Sequence, residues 1–199
     1  MNKSSLMRSS GAKTNYVGNY MQEKYYTCGP AAAKNLIAGY VWANDGGSPS
    51  FASTMSSLYI PEESQLESEL GTTTSGTNFG AQWTNVLNKY ARGNNYTIQP
   101  GLNLQRDWEV KLRNCVVGTI NKTSNYNVIA NLNHGPSGKD SCVNNFYANK
   151  YVAHYVTIYG YDDSRVFISD SNDKMGRNRK YSTGYYSMAY TTRNRGIVW

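Results

Sequence analysis

Leu36, Ile37, Tyr40 and Val41 fall at i, i+1, i+4 and i+5 within 29-GPAAAKNLIAGYVW-42. That is one apolar stripe at helical spacing, and it predicts a helix over 29–42. Pro30 suits the first turn, and 44-NDGGSPS-50 ends the pattern. A second helix is expected over 51-FASTMSSLYI-60. A third is expected over 61-PEESQLESEL-70, which has a proline at its start and acids in its first turn. After a loop over 71–80, Trp83, Val86, Leu87 and Tyr90 share one face of a helix over 80–91. A shorter helix is expected over 107–114.

From residue 115 the pattern changes. CVVGTI (115–120), YVAHYVTIYGYD (151–162), RVFISD (165–170) and the terminal GIVW are rich in Val, Ile and Tyr and predict strands. Residues 121–150, with their Gly, Pro and Asn, read as a long polar loop. Helices first and strands second predict an α+β fold. Its helical half, about 28–114, would pack on an antiparallel sheet half, about 115–199. Residues 1–19 read as an extended lead-in to this single domain. No internal repeat or linker divides it.

Composition qualifies this picture. The 199 residues are 39% hydrophobic, and the core must lean on 18 Tyr and 4 Trp. No run of about 18 apolar residues exists, so no transmembrane segment is expected. The first 18 residues lack the apolar stretch of a secretory signal. The net charge of +7 is spread along the chain, with one mild cluster at 174-KMGRNRK-180. This predicts no nucleic-acid partner, but allows contact with an anionic cell-wall polymer or surface. Charged residues are only 17%, beside abundant Tyr, Asn, Ser, Thr and Gly. That balance suits an extracellular or cell-wall-associated bacterial protein.

Cys28, Cys115 and Cys142 form no CxxC pair, so neither a metal nor an organic cofactor is expected. Cys115 either pairs with Cys142 or is a small buried hydrophobe. Cys28 stands just before a helix start, where unpaired N–H groups and about +0.5 of an elementary charge favour a thiolate. Taken by itself it reads first as an inert, buried structural cysteine. Of the two histidines, His134 lies in the Gly/Pro stretch 131-NLNHGPSGKD-140 and reads as a solvated loop residue. His154 lies on a strand. A thiol at a helix N-terminus facing a strand histidine is how a thiolate–imidazolium pair is built. Such a histidine needs a partner for its other ring nitrogen. If 151–162 and 165–170 form a hairpin turning near residue 162, paired positions sum to about 324, which sets His154 opposite Asp170. Gln22, six residues before Cys28, becomes a candidate oxyanion donor together with the Cys28 N–H.

Gln22…Cys28-Gly29-Pro30, His154-Tyr155-Val156 on a strand, and Asp170 at a strand end together resemble the papain-like cysteine peptidases. The spacings of six and sixteen are similar to papain's. The closer resemblance is to the bacterial family 39 group of bacteriocin-processing, double-glycine leader peptidases, as a free-standing relative. It covers about residues 20–172, through YYTCGPAAAKNLIAGY, LGTTTSGTN, AHYVTIYGYDD and VFISDSN. It also counts CVVGTI as a family strand. The resemblance implies Cys28 as nucleophile, His154 as general base and acid, Asp170 as orienting carboxylate, Gln22 as oxyanion donor, and a peptide or protein substrate. Where members of the group carry Asp-Pro, this chain has Asp170-Ser171. Amidases, transglutaminase-like enzymes and cell-wall hydrolases use the same Cys–His logic. A non-catalytic surface-binding module is the further alternative.

Overall fold

The computed structural model describes residues 11–45, 58–135, 142–148, 150–177 and 179–199. Among them the elements run β1 (Lys13–Thr14), α1 (Cys28–Asn44), α2 (Glu63–Glu69), α3 (Gln82–Tyr90), β2 (Ile98–Gln99), α4 (Gln105–Ile120), β3 (Val128–His134), β4 (Val152–Tyr161), β5 (Arg165–Asp170), β6 (Lys180–Gly184), α5 (Tyr185–Thr192) and β7 (Gly196–Val198). Short 3-10 turns occupy Asn145–Tyr147 and Asp173–Met175. The expected α+β class holds. The strands form one antiparallel sheet in the order β2-β7-β3-β4-β5-β6, with β1 added against β4.

The period-two alternation of β3 explains why helices cover both faces of the sheet. Val128, Ala130 and Leu132 join Trp108, Leu112 and Val116 of α4 and Met188 and Ala189 of α5 in one core. Ile129 points the other way and joins Leu36, Ile37, Leu66, Trp83 and Leu87 from α1, α2 and α3. α1 is therefore enclosed. Every residue from Cys28 to Val41 is buried, which accounts for its small, apolar composition. The face expected for the fourth helical segment is the buried face of α3, namely Trp83, Val86, Leu87 and Tyr90.

Two sequence expectations are corrected. CVVGTI is not a strand but the C-terminal half of α4. Trp108, Leu112, Cys115, Val116, Thr119 and Ile120 are buried at helical spacing, so one continuous stripe overrides the β preference of two adjacent valines. Residues 121–150 are not one long loop either, since they contain β3. The asparagines that disguised this strand are built in: Asn127 and Asn131 are buried, and Asn127 Nδ2 donates to Tyr16 O at 2.9 Å. The helix expected over 51–60 lies mostly outside the described residues, and 58–60 are not helical.

The stretch before α1 runs extended across that helix. Gly18 N donates to Asn35 O at 2.9 Å, Tyr20 N donates to Asn35 Oδ1 at 2.7 Å, and Ser169 Oγ donates to Gly18 O at 2.9 Å. The crossing is so close that a Cβ on Gly39 would lie 2.2 Å from Tyr16 O and 2.8 Å from its carbonyl carbon. Both obstacles are backbone and cannot swing aside. Gly39→Ala is expected to cost about 1–3 kcal/mol and to lower Tm by several degrees in a thermal melt. An unchanged transition would mean the strap is not held against α1.

Candidate active site

Cys28 is the first residue of α1. Thr27, at the cap position, gives its side chain to Lys24 instead of the helix: Oγ1 donates to Lys24 O at 3.0 Å and accepts from Lys24 N at 3.0 Å. The helix start is thus left without a side-chain cap, and its free N–H groups and positive end face the sulfur. Thr157 Oγ1 donates to Ala32 O at 2.9 Å, which pins the first turns of α1 to β4. The thiol meets β4 near its start, where the His154 side chain and the Tyr155 N–H act on it, with the Gly29 N–H beside it on α1.

His154 Nε2 lies 2.7 Å from Asp170 Oδ1, so the ring's Nδ1 is the nitrogen left for the thiol. The hairpin register differs from the expected one in an instructive way. Asp170 pairs with Val156, not His154, and the ladder shifts between Ile158 and Gly160. The pairing sum is therefore 156 + 170 = 326. An offset of two preserves the face, because side chains alternate with period two. His154 and Asp170 remain on one side of the sheet and meet diagonally. An offset of one would have separated them.

Burial alone would push the Cys28 thiol up. The hydrogen bond and positive charge of His154, with the Tyr155 and Gly29 N–H groups, outweigh it and hold the thiol below its ordinary value. Burial alone would lower His154, but the Asp170 carboxylate and the sulfur raise it to about 10. Asp170 is fully buried. Burial pushes its carboxyl up, yet His154, the Asn172 N–H and Tyr147 bring it below its usual range. The three shifts act together in favour of the thiolate, the imidazolium and the carboxylate.

Gln22 sits on the loop before α1. Its backbone N–H donates to Ser171 O at 2.9 Å, directly after Asp170. Its side-chain Nε2 donates to Lys24 O at 3.0 Å, and its buried Oε1 has no partner among the described residues. An amide nitrogen carries two hydrogens, so one donor remains for another acceptor.

His134 corrects a further expectation. It is no solvated loop residue but the last residue of β3, 2% exposed, and it stacks on Tyr147 at 5.1 Å with 13° between the rings. Burial and the nearby His154 charge lower it to about 4, so it stays neutral. Cys115 is a free, buried thiol, so the pairing with Cys142 is not made. Burial raises Cys115 to about 11, which suits a small core residue. Sequence reasoning passed over Tyr147 and Tyr181, whose hydroxyls donate to Asp170 Oδ2 at 2.8 and 2.9 Å. Among 18 tyrosines nothing in the local pattern singles them out. Among the described residues, no group of three or more His, Cys, Asp and Glu could hold a metal ion. No helix among them is long and apolar enough to cross a membrane.

A family model described as Peptidase_C39 like family matches residues 14–197. No curated protein matches the chain. Among solved structures, similarity is found to a double glycine motif protease from an AMS/PCAT transporter, solved in complex with the leader peptide. It has 12% identity, 94% of each chain covered and a TM-score of 0.49. Similarity is also found to the peptidase domain of Streptococcus ComA, a bifunctional ABC transporter involved in a quorum sensing pathway. Here identity is 14%, coverage is 92% of this chain and 95% of that one, and the TM-score is 0.46.

Proposed function

The chain belongs to the Peptidase_C39 like family, a cysteine peptidase family, and from that premise we propose that it cleaves peptide bonds with Cys28, His154, Asp170 and Gln22. The observation that carries this reading is the continuous line from the Cys28 thiol through the His154 ring to Asp170 Oδ1 at 2.7 Å, built at an uncapped helix start.

In the proposed reaction the Cys28 thiolate attacks the scissile carbonyl carbon, and the carbonyl π electrons move onto oxygen. The Cys28 N–H and the Gln22 amide donate to that oxyanion; one such donor contributes about 2.7–4 kcal/mol. When the tetrahedral intermediate collapses, the C–N bond breaks and the imidazolium gives its proton to the departing amine. A thioester remains on Cys28. Neutral His154 then takes a proton from water, the resulting hydroxide attacks the thioester, and the acid product leaves as the thiolate re-forms. Asp170 orients the ring and balances its charge throughout without accepting the proton. Gln22 has a reason to stand where it does: its backbone is tied to Ser171, so the donor and the orienting carboxylate ride on one connection. The substrate is a peptide or protein. An extracellular or cell-wall setting is supported by the polar, Tyr- and Asn-rich composition.

The test is brief, substoichiometric iodoacetamide at pH 6 with mapping of the modified residue, followed across pH. Labelling should fall on Cys28, in preference to Cys115 and Cys142. Its rate, and the peptidase rate, should rise with an acid limb below the ordinary thiol range, and the peptidase rate alone should fall near pH 10 as the imidazolium that protonates the leaving amine is lost. The sign for stability follows from His154. A histidine raised from 6.5 to about 10 contributes stability that is complete below pH 6.5 and disappears as the pH passes through 10. Labelling spread equally over the three thiols, or requiring pH above about 8, would refute an activated Cys28.

A further inference from the structure

Asp170 accepts four hydrogen bonds. Oδ1 takes His154 Nε2 at 2.7 Å and Asn172 N at 2.9 Å. Oδ2 takes the hydroxyls of Tyr147 at 2.8 Å and Tyr181 at 2.9 Å. The two phenols arrive from different parts of the fold, Tyr147 from the 3-10 turn before β4 and Tyr181 from β6, the strand beside β5. Asn172 Nδ2 donates to the Tyr147 oxygen at 3.2 Å, leaving that hydroxyl's own proton for the carboxylate. A buried carboxylate with an unoccupied oxygen would either turn about its bond to Cβ or take up a proton.

We propose that Tyr147 and Tyr181 are positioning residues of the peptidase, acting through Asp170: together they fill Oδ2, fix the carboxylate plane so that Oδ1 faces the His154 ring, and keep Asp170 ionised. The proposal rests on the peptidase reading above. The titratable groups packed around the carboxylate are His154, Tyr147 and Tyr181 in contact, with Cys28 and His134 beyond the two rings and Cys142 beside Tyr181. Burial and the neighbouring carboxylate raise both phenols, so their protons stay in place as donors. His134, stacked flat on Tyr147, packs against one face of that ring and brings no charge while neutral.

Phe replaces each ring in kind and removes only the donor. Tyr147→Phe and Tyr181→Phe are each expected to lower kcat by about tenfold with KM unchanged. Removing a donor to the ionised carboxylate raises its pKa. A less well held carboxylate supports the imidazolium less, and through it the Cys28 thiolate, so the acid limb of both turnover and Cys28 labelling should move up by about one pH unit, and further in the double variant. A merely structural tyrosine would lower Tm and leave that limb where it is. Wild-type limbs in both folded single variants overturn the proposal. Should neither variant fold, NMR of the intact protein decides: slowly exchanging, downfield hydroxyl protons correlated with both rings support it, and the absence of either overturns it. Failure of the wild-type protein to label selectively at Cys28 would instead overturn the peptidase reading on which this inference rests.

Discussion

Cys28→Ala is expected to abolish turnover, by about 10⁴-fold or more, and to leave the thermal transition nearly where it was. The two halves of this expectation have separate causes. Turnover needs a nucleophile that forms the thioester, and no other thiol is placed to replace it. Cys115 is buried in the opposite core, on the α4 side of the sheet, and burial holds it protonated, at about 11. Stability, by contrast, loses only one sulfur at the edge of the α1 core. The His154–Asp170 bond and the helix remain, and alanine is the best helix former. Activity assayed against a peptide pool, with a calorimetric scan of the same preparation, checks both halves. Unchanged turnover would remove Cys28 from the mechanism.

His154→Ala and Asp170→Ala are expected to rank oppositely in activity and in stability. Without His154 there is no acceptor for the thiol proton and no donor for the leaving amine, and burial then pushes Cys28 up. A loss of about 10⁴-fold follows. Without Asp170 the imidazole remains and retains part of its function, so the loss is smaller. The folded state suffers the reverse. Asp170→Ala strips the acceptor from His154, Tyr147, Tyr181 and the Asn172 N–H at once. Each buried donor left without an acceptor costs about 1–3 kcal/mol, and here several are left at once. His154→Ala leaves Asp170 with three of its four donors and costs less. Kinetics and denaturant titration on both variants give the two rankings. The same order in both would mean that Asp170 is not the third member.

The candidate site was legible in the sequence because the proposed chemistry depends on rare residues at special places. With three cysteines and two histidines in the chain, a cysteine before Gly-Pro and a histidine on a β-branched strand leave few combinations. Hairpin arithmetic then finds Asp170 even with a register error of two, since parity is all that decides the face. His134 was misplaced because its own strand was missed. Asn127, Asn131 and Asn133 gave 127–134 a polar look, and only tertiary partners such as Tyr16 O satisfy the buried Asn127. CVVGTI misled in the opposite direction: its β-branched residues outweighed the stripe from Trp108 and Leu112 that it continues. Tyr147 and Tyr181 were invisible for a third reason. They lie 23 and 11 residues from Asp170 in sequence, and only the folded sheet brings the hydroxyls to one oxygen.

The enclosure of α1 has an evolutionary consequence. From Cys28 to Val41 each side chain is hemmed in by other parts of the protein, so nearly any replacement there disturbs packing. Immediately before it, Met21 and Tyr25 are 52% and 79% exposed and can change at little cost to the fold. The boundary between the two regimes falls between Tyr26 and Cys28. Tolerance of change therefore switches within two residues of the nucleophile candidate: exposed positions such as Met21 and Tyr25 can vary, while Gln22, tied to Ser171, and the helix from Cys28 onward cannot.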